Sequence, residues 1–216
     1  MSEIWAGMAT LPERAGARAM AIESLLPQVD HLHVAFGHEA GLAIKLTVCE
    51  HASGVYLGVD DDLVYPPDYV QALLAGLERH PRSVVGFHGY RVDVHGRRSE
   101  NYRCLDAVGE DVQVDVLGSG VIAFRLDELR VTPADVPDPQ GAEFWISILA
   151  EQAGLARWVL AHPARWFTYT EHERTMWNET EAQTGSFLDY SEARDRALHY
   201  YVELRDYKPL GLRVAG

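Results

Sequence analysis

The stretch Val55-Tyr56-Leu57-Gly58-Val59-Asp60-Asp61-Asp62-Leu63-Val64-Tyr65-Pro66-Pro67-Asp68-Tyr69 decides how the rest of the chain is read. An apolar run of strand type stops at three consecutive carboxylates, two prolines follow, and a helix-periodic segment begins. In an open α/β sheet, ligands gather outside the carboxyl ends of strands, so a site is expected at this junction. Adjacent carboxylates repel one another unless a cation offsets them, and hard divalent ions such as Mg2+ and Mn2+ prefer carboxylate oxygen. The alternative is a solvated acidic loop in which Asp62 or Asp68 caps the following helix. Asp60 and Asp62 have the alternating spacing that turns two side chains of an extended segment the same way, with Asp61 pointing elsewhere to cap or brace.

The chain has 216 residues, 47% hydrophobic and 24% charged, which is enough for one domain with a complete core. Its 32 acidic against 19 basic residues, a formal charge of −13, argue against a broad surface for gripping a polyanion. A nucleotide phosphate would need a bound cation or a few placed Arg and Lys residues. Cys49 and Cys104 form neither a CxxC pair nor a disulfide framework, which fits a reducing compartment. There is no signal-peptide pattern, and no apolar run approaches the ~18 residues of a spanning helix. A cytoplasmic protein without an anchor is expected.

Residues 4–9 read as a first strand, 15–27 as a helix with Ala19, Ile22, Leu25 and Leu26 on one face, and 31–36 as a second strand. Residues 45–49 and 55–59 read as two more strands. Pro66 and Pro67 suit the first turn of a helix, where a missing N–H costs nothing, with Tyr69, Val70, Leu73, Leu74 and Leu77 as its buried stripe. Further strands are expected at 83–87, 90–94, 97–104, 112–116, 121–124 and 157–161, with a hairpin turn at His95-Gly96. The glycines of Gly118-Ser119-Gly120 permit a close approach of backbone to a ligand or to a neighbouring strand. Residues 131–141 are loop-like, 143–153 and 187–204 helical, and 168–185 polar and irregular. The pattern suggests a βα nucleotide-binding layer.

Among candidate groups, His162 directly follows a strand end and is either a third metal ligand or a surface histidine in a His-Pro turn. Glu143 opens a helix, where the helix dipole alone favours a carboxylate, and it is alternatively a general base facing the metal site. Arg14, Lys45 and Arg91 are candidate phosphate partners or solvated charges. His31 and His33 share a strand face without a nearby carboxylate and are read as structural. GxSxG, Walker, HExxH and GxGxxG patterns are all missing, which sets aside the common serine hydrolases, P-loop proteins, zincins and dinucleotide binders.

These residues carry a resemblance. The run from Tyr56 to Val70, with its Asp60-Asp61-Asp62 and Tyr65-Pro66-Pro67-Asp68-Tyr69-Val70 segments, resembles the D-x-D region of family-two-like GT-A glycosyltransferases of bacterial and phage type. Ala9-Thr10-Leu11-Pro12-Glu13-Arg14 is similar to their first-strand turn, and the stretch Ser24-Leu25-Leu26-Pro27-Gln28-Val29-Asp30 to their entry into the second strand. Gly41 and Lys45 match a Gly-Asp-x-x-Lys segment in which Leu42 replaces the Asp. His88-Gly89, the Gly118 to Phe124 run and Ala142-Glu143-Phe144-Trp145 resemble later blocks, so the likeness covers roughly residues 4–167.

The resemblance implies an α/β fold: a single Rossmann-like GT-A domain over residues 1–185, with a mixed, mostly parallel central sheet flanked by helices. A C-terminal helical tail over 186–216 would pack on it. It implies metal-dependent, inverting transfer of a sugar from a UDP- or GDP-sugar type of donor, with Mn2+ or Mg2+ held by Asp62 and Asp60 and with His162 as the candidate third ligand. Asp60 would also face the nucleotide sugar, and Glu143 would deprotonate the acceptor hydroxyl. Thr10, Pro12, Arg14, Lys45 and Asp61 would line the nucleotide, and Gly118, Ser119 and Gly120 would admit the sugar or acceptor. The acceptor is a saccharide, a protein, a small molecule or a modified DNA base. Arg91, Arg97, Arg98 and Arg103 in one hairpin region are read as ordinary solvated charge. The rival readings are a nucleotidyltransferase-like enzyme, for which the turn after the first strand is too poor in glycine and basic groups, and a non-catalytic nucleotide-sugar binding module.

Overall fold

A computed structural model describes residues 2–36, 41–93, 98–137 and 141–170. The first strand, β1 (Ile4–Thr10), leads through helix α1 (Ala15–Leu25) to β2 (His31–Phe36), and β3 (Val55–Asp60) follows. β1 pairs in parallel with β2 on one side, Trp5 opposite His31, and with β3 on the other, Ile4 opposite Val55. The chain therefore reverses its direction of advance across the sheet at β1. The crevice above the carboxyl ends of β1 and β3 is a topological switch point, where α/β sheets bind ligands.

The remaining elements are β4 (Leu63–Val64), α2 (Tyr69–Arg79), β5 (Ser83–Gly86), β6 (Gly89–Val92), β7 (Arg98–Tyr102), β8 (Val112–Gln113), β9 (Val116–Leu117), β10 (Val121–Arg125), α3 (Ala142–Gln152), β11 (Ala156–Val159) and β12 (Thr168–Tyr169). The central sheet has seven strands in the order β2-β1-β3-β10-β5-β11-β8. β2, β1, β3, β5 and β11 run one way, while β10 and β8 run against them. Two small sheets flank it: β7-β6-β9, which branches off past β5, and β12-β4 beside the acidic turn.

Alternating side chains divide the core into two layers. Leu57, Val59, Val85 and Ala123 pack against Ala21 and Leu25 of α1 and Tyr69, Leu73 and Leu77 of α2. Tyr56, Val84, Ile122 and Phe124 pack on the opposite face against Ile146 and Ala150 of α3 and against Leu46 and Cys49. β1 and β3 are buried on both faces, which explains their unbroken apolar runs.

Several sequence expectations need correction. Residues 45–49 are not a strand but part of a 3-10 helix, Leu42–Glu50, that buries Lys45, Leu46 and Cys49 at its three- to four-residue spacing. α1 buries Ala17, Ala21 and Leu25; of the expected face, Leu25 is buried, Ile22 half-buried, and Ala19 and Leu26 exposed. The buried Arg14 sets that phase, because residues one helical turn apart share a face. Pro66 and Pro67 precede α2 rather than opening it, and Asp68, at its N-cap, makes no side-chain capping bond. The hairpin turn at His95-Gly96 and the expected C-terminal helix, with the division between 1–185 and 186–216, lie outside the described residues. Among those residues, no helix is long and apolar enough to cross a membrane.

Candidate functional site

The acidic triplet lies in the crevice at the switch point, and each of its carboxylates meets a cation from elsewhere in the chain. Lys45 Nζ, fully buried, donates to Asp60 Oδ1 at 2.7 Å, to the Val59 carbonyl at 3.2 Å and to the Ser119 carbonyl at 3.3 Å. An ammonium group has three N–H bonds, so this set leaves Lys45 no donor for a phosphate. Arg14, buried just past the end of β1, bridges the other two carboxylates. Its two terminal nitrogens lie 2.9 Å from Asp61 Oδ1 and 3.1 Å from Asp62 Oδ2. Thr10 Oγ1 donates to Asp61 Oδ2 at 2.5 Å.

Asp61 is buried, while the Asp60 side chain is 40% exposed and that of Asp62 19%; Asp62 shares the Arg14 guanidinium with Asp61, whereas Asp60 meets Lys45. Burial raises the carboxyl pKa of Asp61, against the hydrogen bond from Thr10 and the charge of Arg14. Burial also raises that of Asp62, the neighbouring Asp60 adds to it, and Arg14 opposes both.

Backbone features complete the floor. The hydroxyl of Tyr65 accepts the Asp60 N–H at 2.7 Å and lies 3.0 and 3.1 Å from the carbonyl oxygens of Asp60 and Gly120. Gly118-Ser119-Gly120 joins β9 to β10 and crosses beside Asp60. A Cβ on Gly120 would lie 1.7 Å from Asp60 Oδ2, so only glycine leaves room for the carboxylate. After β12, the Thr170 N–H returns to the Asp62 carbonyl at 2.9 Å. Pro12 is exposed on the short 3-10 turn Pro12–Arg14. Arg18, missed by the sequence reading, donates to Thr10 Oγ1 at 3.3 Å and to the Leu11 carbonyl at 3.0 Å, and its guanidinium lies 4.9 Å over the half-exposed ring of Phe36. Neither Arg18 nor Phe36 carries a motif signal; only the parallel pairing of β1 with β2 brings them together.

Glu143 lies in the first turn of α3, partly buried, on the helix that packs against β9. The Ser147 hydroxyl, which donates to the Glu143 carbonyl at 2.8 Å, accepts the Leu117 N–H at 3.3 Å and so ties that turn to the strand before Gly118. His162 is buried, and its ring nitrogens face the carbonyl oxygens of Leu160 at 2.7 Å and Arg103 at 3.4 Å. The ring packs among Phe87, Trp166 and Phe167. Among the described residues, no group of three or more His, Cys, Asp or Glu side chains converges as a metal cage, and Asp60, Asp62 and His162 do not form one.

No protein-family model and no curated protein sequence matches the chain. Solved structures do. The chain is similar over 88% of its length to GalNAc-T7, solved with UDP, GalNAc and Mn2+, at 10% identity and a TM-score of 0.52, and it spans about half (49%) of that protein. The fold is of the GT-A, Rossmann-like type. A197 from STIV aligns with 81% of this chain and 87% of its own, at 13% identity and a TM-score of 0.47.

Two variants test the charge arrangement. Arg14→Ala leaves Asp61 and Asp62 without their shared cation and is expected to destabilise the fold by about 3 kcal/mol or more, read from denaturant midpoints. An unchanged midpoint would show that the bridge contributes nothing. Gly120→Ala is expected to push the Asp60 carboxylate off Lys45; a crystal structure of that variant with the 2.7 Å pair intact would contradict the packing described.

Proposed function

We propose that the chain is a divalent-cation-dependent glycosyltransferase that moves a sugar from a nucleoside-diphosphate donor to a hydroxyl acceptor with inversion. The observation that carries this reading is the carboxylate triplet, held rigidly at the β1/β3 switch point of a GT-A-type fold. The nucleotide would occupy the ends of β1 and β2, where Thr10, Pro12 and Arg14 follow the strand. The Phe36 ring and the Arg18 guanidinium offer flat faces there on which a base can stack. Lys45 serves by fixing Asp60 rather than by touching phosphate, and Asp61 by bracing Thr10 and Arg14.

The donor set can be tested against the ion. Mg2+ and Mn2+ need only one or two protein carboxylates when substrate phosphates and water supply the rest. Asp60 and Asp62 meet that need and no more, so the residues fit a cation that arrives with the donor rather than one held in a closed cage. Bound there, the cation would supply Lewis-acid stabilisation of the departing diphosphate. His162 stands outside this set. Asp60 would face the donor sugar, Gly118 to Gly120 would let the backbone approach it, and Glu143 would take the proton of the acceptor hydroxyl as the new bond forms from the opposite side. The acceptor belongs to the class of hydroxyl-bearing saccharides, proteins or modified bases.

Purified protein is expected to bind UDP or GDP in calorimetry only with Mn2+ or Mg2+ present, and Asp62→Ala to lose that binding. Metal-independent binding would overturn the role given to Asp62. Glu143→Gln is expected to keep nucleotide binding while turnover falls about 10²- to 10⁴-fold. Turnover at the wild-type rate would remove Glu143 as the base.

A further inference from the structure

A second polar side chain stands on the same face of the sheet as Asp60. β3 and β5 run in the same direction and are separated only by β10, whose Val121 pairs with Val59 and accepts the Phe87 N–H at 3.1 Å. One residue further along, Asp60 ends β3 and His88 follows β5, with the Gly118-Ser119-Gly120 turn between them. Side-chain alternation puts both on the α3 side, because Tyr56 and Val84, each four residues earlier, pack against that helix.

The two side chains rest on the two glycines of the turn. A Cβ at Gly120 would strike the Asp60 carboxylate, and one at Gly118 would press on the His88 imidazole, 3.0 Å from Cδ2 and 3.3 Å from Cγ. The Gly118 N–H donates to the His88 carbonyl at 2.9 Å, which fixes the imidazole's backbone against the turn. Two interstrand spacings put the β3 and β5 backbones on the order of 10 Å apart, room for one pyranose ring between the groups they carry. His88 is partly exposed, and among the described residues its ring nitrogens have no hydrogen-bond partner. Burial, reinforced by the Arg98 guanidinium, pushes the imidazole down to about 4, so at neutral pH it offers one N–H donor and one lone pair. That pairing matches a sugar hydroxyl, which both accepts and donates, whereas an ionised phosphate oxygen only accepts and would leave the imidazole lone pair unused.

We infer that His88 is a sugar-contacting residue, holding a hydroxyl of the donor sugar across the Gly118-Ser119-Gly120 turn from Asp60. The inference rests on the glycosyltransferase reading and adds the group that distinguishes a sugar nucleotide from the bare nucleotide. It separates the two ends of the donor: the cation and the ends of β1 and β2 hold the nucleotide, while His88 and Asp60 hold the sugar.

Calorimetry with Mn2+ separates the two ideas, using UDP and GDP against UDP-GalNAc, UDP-glucose and GDP-mannose. Wild-type protein is expected to bind one sugar nucleotide more tightly than its bare nucleotide. In His88→Ala that sugar-dependent gain should fall about tenfold, the worth of one buried hydrogen bond, with affinity for the bare nucleotide kept. His88→Asn, which keeps a donor and an acceptor, should recover part of the gain, and Gly118→Ala, which displaces the ring, should lose it. Retained nucleotide affinity also reports that each variant is folded. Failure of the wild-type protein to bind any nucleotide overturns the glycosyltransferase reading itself. Wild-type selectivity in His88→Ala, or equal loss of nucleotide and sugar nucleotide, overturns only the role given to His88.

Discussion

Lys45 pairs with Asp60, and Arg14 with Asp61 and Asp62; nearly every feature of the crevice depends on these contacts. A row of carboxylates at a strand end is unfavourable unless neighbouring positive charge offsets the repulsion and the loss of water. Among the described residues, Lys45 and Arg14 meet the three carboxylates. The triplet is thereby held in one geometry rather than splayed into solvent. That compensation reaches into the secondary structure. Burying Arg14 fixes the phase of α1, and burying Lys45 requires the chain before β3 to coil into a 3-10 helix beneath the strand end.

The same contacts bear on how the crevice would treat a donor. Because Arg14 and Lys45 neutralise carboxylates, neither is available as an open phosphate grip. In the proposed reading, the positive charge opposite a diphosphate would come from an ion that the remaining carboxylate oxygens and the diphosphate itself could share. Preorganisation is the gain: the oxygens of Asp60 are aimed by Lys45, by the Tyr65 hydroxyl at its backbone and by the missing Cβ of Gly120, so no rearrangement of the floor is required. On the far side of the Gly-Ser-Gly turn, burial and the Arg98 guanidinium hold the His88 imidazole neutral, suited to a neutral hydroxyl. Two chemically different environments thus stand on either side of the Gly118-Ser119-Gly120 turn, at the carboxyl ends of β3 and β5.

Much of the fold is legible in the sequence wherever one physical signal dominates. The buried strands β1, β3 and β10 announce themselves as short apolar runs, and the carboxylates at the end of β3 mark the crevice. The helix stripe of α2 reads directly from its spacing. Misreadings fell where tertiary demands overrode local pattern. Residues 45–49 look extended by composition but coil to bury Lys45. The apolar residues of α1 suggest one stripe, while the buried guanidinium at its start selects another. Pro66 and Pro67 fit a helix start by rule, yet the turn closed by the Tyr69 N–H on the Pro66 carbonyl places them before it. Arg18 with Phe36 was invisible because its members are separated in sequence and meet only through strand pairing.

By itself the sequence determined an α/β chain with an acidic turn at the end of a buried strand, because hydrophobic periodicity and the run of aspartates are local properties. Only the tertiary structure decided which cations those aspartates meet, that Asp61 and Asp62 share one guanidinium, and that His162 packs among aromatic rings. It alone set His88 across a glycine turn from Asp60. The reason is that charge pairing and side-chain burial depend on strand order and register, which bring together groups tens of residues apart and leave no trace in local spacing.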